Sequence, residues 1–367
     1  MKINLIQDIA TPHNNVLISE FIDKSNVKLN LWYAVQSDSS LYEWSKDLTQ
    51  EHTSAYIYGT SMNLKFIKYC ISHSDEKYII VGWANINTIL LTFLFFLLRR
   101  PFNHWTDLPD FHDNHISFRK KILRWGAYKV LKYSNSMIFG VGVTSIKYFR
   151  NLGFSEKRLI NLPIFVQVNE DLIAYKSKRN QFIEKYGIND SCFIISAGSR
   201  IVKEKGYDLL IKAISFLDEE ILDNLKLFVV GSGPALIELE KQVIDLDLNN
   251  QIIFIKWLPI EDFKVIIANS DIFVHPARID SYGGTTLGMA LGVPVIGSFE
   301  AGAAVDRISS GKNGFLYHTE DIQTLSNYIS ILYKYPQLRK TMATAARDTA
   351  LKWPPSRGVE IITSYAI

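Results

Sequence analysis

Arg200 and Lys205 stand five positions apart just after the apolar run Phe193 to Ser196, with Gly206 following. A guanidinium offers a planar fork of donors and an ammonium a compact point charge, a combination suited to a diphosphate. Gly198, just before them, lets backbone come close to a ligand. A second loop, Val230-Gly231-Ser232-Gly233-Pro234, follows another apolar run, and a third, from His275 to Thr285, carries Asp280, Tyr282, Gly283 and Gly284. There the two glycines precede a helix of small residues whose free amides favour an anion. Together the three loops describe a pocket for a phosphate-bearing ligand. The Gly231/Gly233 pair only partly mimics a dinucleotide fingerprint: Leu236 replaces the third glycine, and Asn249 and Asn250 stand where a ribose-binding acid is expected. That pattern argues against an NAD site.

These loops need a scaffold that brings their strand ends together. The segment Ser270 to Ser298 reads as one βαβ unit: strand 272–274, polar loop, small-residue helix, strand 295–296. Upstream, 3–6, 27–33, 55–58, 78–81, 101–105 and 137–142 read as strands with helical patterns between most of them. Downstream, 193–196, 227–230, 252–255, 272–275 and 294–296 repeat the arrangement. Strands separated by helices imply a parallel sheet covered on both faces. The expected fold class is α/β, two Rossmann-like parallel-sheet domains facing across a cleft. The expected division is residues 1–165, a linker over 166–182, a second domain over 183–350, and a tail over 351–367. Pro354 and Pro355 interrupt the last helix and turn that tail back towards the first domain.

The chain has 367 residues, 47% of them hydrophobic and 13% aromatic, enough for two packed cores. Cys70 and Cys192 are its only cysteines, far apart and without CxxC spacing, so neither a disulfide framework nor a thiolate metal site is indicated. A reducing cytoplasm fits this, and the first residues lack the apolar stretch of a secretory leader. The run Ile89 to Leu98 is very apolar but about half the roughly 20 residues a spanning helix needs, so a buried helix is expected. Arg99, Arg100, Arg119, Lys120, Lys121, Arg124, Lys129 and Lys132 follow it, against Asp107, Asp110 and Asp113. This basic segment is expected either as a solvated helix face or as a peripheral contact with the anionic inner face of the plasma membrane. The net charge of +3 is modest and no nucleic-acid-binding motif accompanies the patch, so no nucleic-acid partner is expected.

The order GSR, KEKG, VVGSGP, HPARIDSYGG, GVPVIGS, AG and GKNGFLY, between Phe193 and Leu351, resembles the donor-binding domain of retaining glycosyltransferases of the B fold, family-four group. That family includes sucrose synthase and cell-envelope mannosyltransferases. The segment VGVTSIKYFRNLGFSEKRLINLP is similar to the one leading out of the family's N-terminal domain. The resemblance implies that Arg200 and Lys205 hold the nucleotide diphosphate of a UDP- or GDP-sugar and steady the leaving group. It places Asp280 where the family has the first Glu of a Glu-x7-Glu motif, facing the donor sugar. Tyr282, Gly283, Gly284 and Thr285 match the turn beside the phosphates and sugar, and Gly198, Gly231, Gly233, Trp257 and Leu258 complete the donor-binding set. Gly288 stands at the second Glu, which normally binds the ribose, and the helix is one residue short before Met289. Thr286 or a backbone carbonyl is then expected to hold the ribose.

In the first half the resemblance thins: Asp8 to Asn15 contains no glycine where the family often has a glycine-rich loop. The run HWTDLPDFHDNH offers His104, Asp107, His112 and His115 for the acid or histidine expected beside the cleft. Asp107 is the first choice and His104 the second, against a plain reading in which each histidine is merely hydrogen-bonded within the fold. Spacing that could hold a metal is missing from this loop, and no cofactor is expected. The activity implied is metal-independent transfer of a sugar, with retention, to a glycan hydroxyl. The acceptor would be a lipid-linked oligosaccharide of bacterial surface polysaccharide or O-antigen synthesis. A non-catalytic sugar-binding subunit or a nucleotide-sugar epimerase of the same fold are the alternatives.

Overall fold

The computed structural model describes residues 2–24, 27–35, 55–82, 85–107, 118–168 and 172–365. They divide into two units, 1–165 with 355–367, and 166–354. The first is built on strands β1 (Lys2–Gln7), β2 (Lys28–Tyr33), β3 (Ala55–Ile57), β4 (Lys77–Val81), β5 (Asn103–Thr106), β6 (Ile138–Gly140) and β7 (Leu159–Asn161). Their order in the sheet is β3-β2-β1-β4-β5-β6-β7, all parallel. The second contains β8 (Phe193–Gly198), β9 (Leu225–Val230), β10 (Ile252–Ile255), β11 (Ile272–His275), β12 (Val295–Ser298) and β13 (Gly314–Tyr317). It is a parallel sheet in the order β10-β9-β8-β11-β12-β13.

Burial on both faces explains why the strands read as continuous apolar runs. Ile194, Ile195, Leu227, Phe228, Ile272 and Phe273 are each at most 1% exposed. The observed strands differ from expectation in several places. The strand expected over 137–142 stops at Gly140, because Gly142 takes a φ of +81° and opens the helix Gly142–Asn151. β13 was not expected as a strand; its short sequence GFLY follows a turn rather than a long apolar approach.

Residues read as a linker carry helices Leu172–Ser177 and Arg179–Tyr186, which bury Tyr175 and Phe182 in the second unit. The last helix, Pro355–Tyr365, belongs to the first unit, where Val359 and Ile362 are buried and Gly358 sits against Leu17 and Phe165. The apolar run forms the helix Ile86–Leu97, with Ile89, Leu91 and Phe95 buried and Leu97 73% exposed. Among the described residues no helix is long and apolar enough to cross a membrane.

Candidate donor-binding site

In the second sheet the chain reverses direction of assembly between β8 and β11. Open α/β sheets bind ligands in the crevice at such a point, beyond the carboxyl ends of the strands. The loop after β8 carries Arg200 and the short 3-10 turn Lys203–Lys205; the loop after β11 carries Asp280 to Gly284. The topology therefore brings together two motifs that are distant in sequence.

Their contact is direct. Lys205 Nζ lies 2.6 Å from Asp280 Oδ2, with the two side chains only 14% and 9% exposed. His275 Nε2 donates to the same Oδ2 at 3.0 Å, and its Nδ1 pairs with Thr285 Oγ1 at 2.8 Å. Burial alone would raise the Asp280 carboxyl, but the His275 ring and the Lys205 ammonium outweigh it and hold it at about 2. Asp280 is therefore an anchored anion. Gly283 makes the cluster possible, since a Cβ there would stand 2.7 Å from both Asp280 Oδ2 and His275 Cε1.

The loop after β11 is fastened to the basic turn. Arg278 and Ile279 amides donate to the Glu204 carbonyl at 2.8 and 3.1 Å. The Arg278 guanidinium clasps Asp208 in a two-point pair at 2.7 and 2.7 Å and also reaches the Lys203 carbonyl at 3.0 Å. At Gly206, φ is +68° and a Cβ would stand 2.0 Å from the Pro276 carbonyl oxygen, so only glycine lets these loops cross.

Gly231 and Gly233 serve the protein's own backbone. Added Cβ atoms would stand 1.9 Å from the Ser199 carbonyl oxygen and 2.2 Å from that of Ile201. The Ile201 amide donates to the Ser232 carbonyl at 2.8 Å, stitching the loop after β8 to the loop after β9. Arg200 is exposed at this seam, Gly198 packs on the Phe263 ring, and Trp257 donates its backbone amide to Ser232 Oγ at 3.2 Å. Leu258 is half-buried and packs against the cluster that includes Phe228, Val230 and Ile266. Tyr282 is buried, which pushes its hydroxyl's pKa up, and its ring faces the Arg307 guanidinium, itself stacked 3.5 Å from the Trp353 ring centroid.

The helix after the two glycines, Thr285–Ala290, has only six residues, so it offers amides and little macrodipole. Gly288 does not stand at an empty ligand position. A Cβ there would point into the core, 3.1 Å from Phe273 Cβ and 3.1 Å from Val295 Cγ2. This position therefore faces the sheet. Thr286 is buried, and its hydroxyl lies 3.4 Å from the Gly283 carbonyl.

His275 escaped sequence reasoning as a site residue. Its only signal was a polar residue ending an otherwise apolar strand. In the first unit, Asp107 is exposed just after β5, whereas His104 lies inside β5, 1% exposed, with burial lowering its pKa to about 3. His104 is therefore a neutral interior residue. His112 and His115 lie outside the described residues.

Residues 178–349 match the family model described as "Glycosyl transferases group 1". The chain is 29% identical over 181 residues to the GDP-mannose-dependent alpha-(1-6)-phosphatidylinositol monomannoside mannosyltransferase of Mycolicibacterium smegmatis, covering 47% of each. To the N-acetyl-alpha-D-glucosaminyl L-malate synthase of Bacillus anthracis it is 25% identical over 197 residues, 53% of this chain and 50% of that protein. The matches thus span about half the length of these curated relatives. Among solved structures, Anabaena HepE in complex with UDP superposes with a TM-score of 0.78 at 19% identity, covering 99% of both chains. WaaG, a glycosyltransferase involved in lipopolysaccharide biosynthesis, gives 0.66 at 15% identity, over 99% of this chain and 100% of that one. Residues 178–349 of the C-terminal unit thus match a group 1 glycosyl transferase model, and the chain shares its two-sheet fold with these glycosyltransferase structures.

Proposed function

We propose that this protein is a retaining glycosyltransferase that moves a sugar from a nucleotide-diphosphate sugar to a hydroxyl of a glycan acceptor. The observation that carries this is the Lys205–Asp280–His275 cluster at the strand-order reversal of the unit that matches the group 1 model. In this reading Lys205 and Arg200 meet the negative charge that grows on the departing diphosphate, supplying without a resident metal what transition-state stabilisation requires. Asp280 fixes Lys205 and turns towards the sugar hydroxyls. The bond from the anomeric carbon to the diphosphate breaks, the acceptor oxygen takes that carbon on the same face, and the acceptor proton passes to a diphosphate oxygen. No side-chain nucleophile is needed. A mass-spectrometric search for a covalent glycosyl adduct on Asp280 tests this step, and finding one would refute it.

The acceptor side of the reading is a lipid-linked glycan at a membrane surface. Helix Ile86–Leu97 ends at exposed Leu97 and Leu98, followed by Arg99 and Arg100, and helix Phe118–Tyr133, which packs on it, exposes Ile122 and Trp125 near Lys121 and Lys129 in sequence. Apolar groups set among cations suit an anionic bilayer. Thermal shift and transfer assays with UDP- and GDP-sugars test the donor half, and co-flotation with phosphatidylglycerol vesicles tests the membrane half. Absence of both nucleoside-diphosphate binding and sugar transfer would sink the enzymatic reading.

A further inference from the structure

The first sheet repeats the strand reversal, here between β1 and β4, so its own crevice opens at the carboxyl end of β1. That end is Gln7, followed by Asp8. The Asp8 carbonyl accepts from the Ala34 and Val35 amides, both at 3.0 Å, which fixes the backbone, and its side chain is half-buried. Tyr58, from the turn after β3, points its hydroxyl at Asp8 Oδ1 from 3.4 Å. Gln7 is 2% exposed; its Oε1 accepts from Asn14 Nδ2 at 2.9 Å, while its Nε2 has no acceptor among the described residues. A buried amide donor without a partner at a strand end asks for a polar guest. Asp107 stands one strand beyond the reversal, and His104 is enclosed within the sheet.

We propose that Asp8, not Asp107 or His104, holds the acceptor, its carboxylate accepting a hydrogen bond from a sugar hydroxyl in the crevice at the end of β1. The proposal rests on the glycosyltransferase reading above and names the acceptor contact within it. A charge-assisted hydrogen bond both binds and aims a hydroxyl, which a neutral amide does less well. Burial pushes the Asp8 carboxyl up to about 6, outweighing the Tyr58 hydroxyl and the Arg124 guanidinium that face it from the turn after β3 and from the helix Phe118–Tyr133. Acceptor binding therefore weakens as pH falls through about 6.

The test uses the full chain, UDP- and GDP-sugars, and octyl glycosides as acceptor probes. Asp8→Asn should raise the acceptor KM at least tenfold and flatten the acid limb of the acceptor-dependent rate, while UDP or GDP still shifts the melting temperature. Tyr58→Phe keeps the carboxylate but removes a hydrogen bond that favours its charged form, so the acid limb moves to higher pH. An Asp8→Asn protein with the parental acceptor KM and acid limb overturns the proposal. So does a parent protein that binds nucleoside diphosphates yet transfers to none of these glycosides, a result that leaves the donor site standing. A parent protein that binds no nucleoside diphosphate overturns the glycosyltransferase reading itself, and this proposal with it.

Discussion

Lys205 Nζ and Asp280 Oδ2 stand 2.6 Å apart as an ion pair with both side chains largely buried. The cation assigned to the diphosphate is thus held by the acid assigned to the sugar. Each aligns the other.

This pairing makes Lys205→Ala a double lesion. The variant loses its point charge for the diphosphate and leaves Asp280 with His275 alone. Transfer should fall at least a hundredfold, the scale of losing a preorganised charge at a developing anion. The melting-temperature rise given by UDP or GDP should shrink in parallel, and unchanged turnover would refute the phosphate assignment.

Asp280 also sets a pH window. Its carboxyl sits near 2 in the folded chain and near 3.9 when unfolded, so its contribution is fully present above about pH 4 and is lost as pH falls towards 2. The difference corresponds to about 2 kcal/mol. Calorimetry should show Asp280→Asn less stable than the parent at pH 7, with the gap closing between pH 4 and pH 2.

Gly288→Glu would restore the family's acid in sequence but not in space. Its Cβ meets Phe273 and Val295 at 3.1 Å, and the carboxylate would follow it into the core. The expected result is a melting temperature lowered by several degrees, in line with about 1–3 kcal/mol for overpacking, and no gain in nucleotide affinity. Tighter UDP or GDP binding by a stable variant would contradict the geometry.

Arg278→Ala removes the clasp on Asp208 and Glu320 that pins the Asp280 loop against the Lys203–Lys205 turn. The pair is partly exposed, so the direct stability cost is about 1 kcal/mol. Its larger effect should appear as a several-fold loss of nucleoside-diphosphate affinity, measured by titration calorimetry.

Gly358→Leu probes the returning helix. A Cβ would stand 2.6 Å from Leu17 Cδ1 and 2.6 Å from Phe165 Cε2, so a leucine there must displace these side chains or loosen the helix Pro355–Tyr365 from the first unit. Hydrogen exchange should rise over 12–24 and leave 193–198 unchanged.

The sequence by itself determined most of the strands and their parallel class, because buried parallel strands are apolar runs separated by helical patterns. It also marked Arg200, Lys205 and Asp280 as candidates, since they are charges placed directly after such runs, at the strand ends where open α/β sheets bind ligands. Tertiary structure decided what local pattern cannot encode. The Lys205–Asp280 pair exists only because β8 and β11 are neighbours at the reversal of strand order. Gly231 and Gly233 read as donor-binding glycines, yet they and Gly206 are required by loop-on-loop contact, as distances between segments far apart in sequence reveal. Gly288 read as a missing acid, yet a Cβ there would meet Phe273 and Val295 in the core, a placement that depends on which face of its helix packs against the sheet. Asp8 lay in a stretch without a recognisable pattern. Its place at the end of β1 comes from the sheet order, which spacing along the chain does not carry.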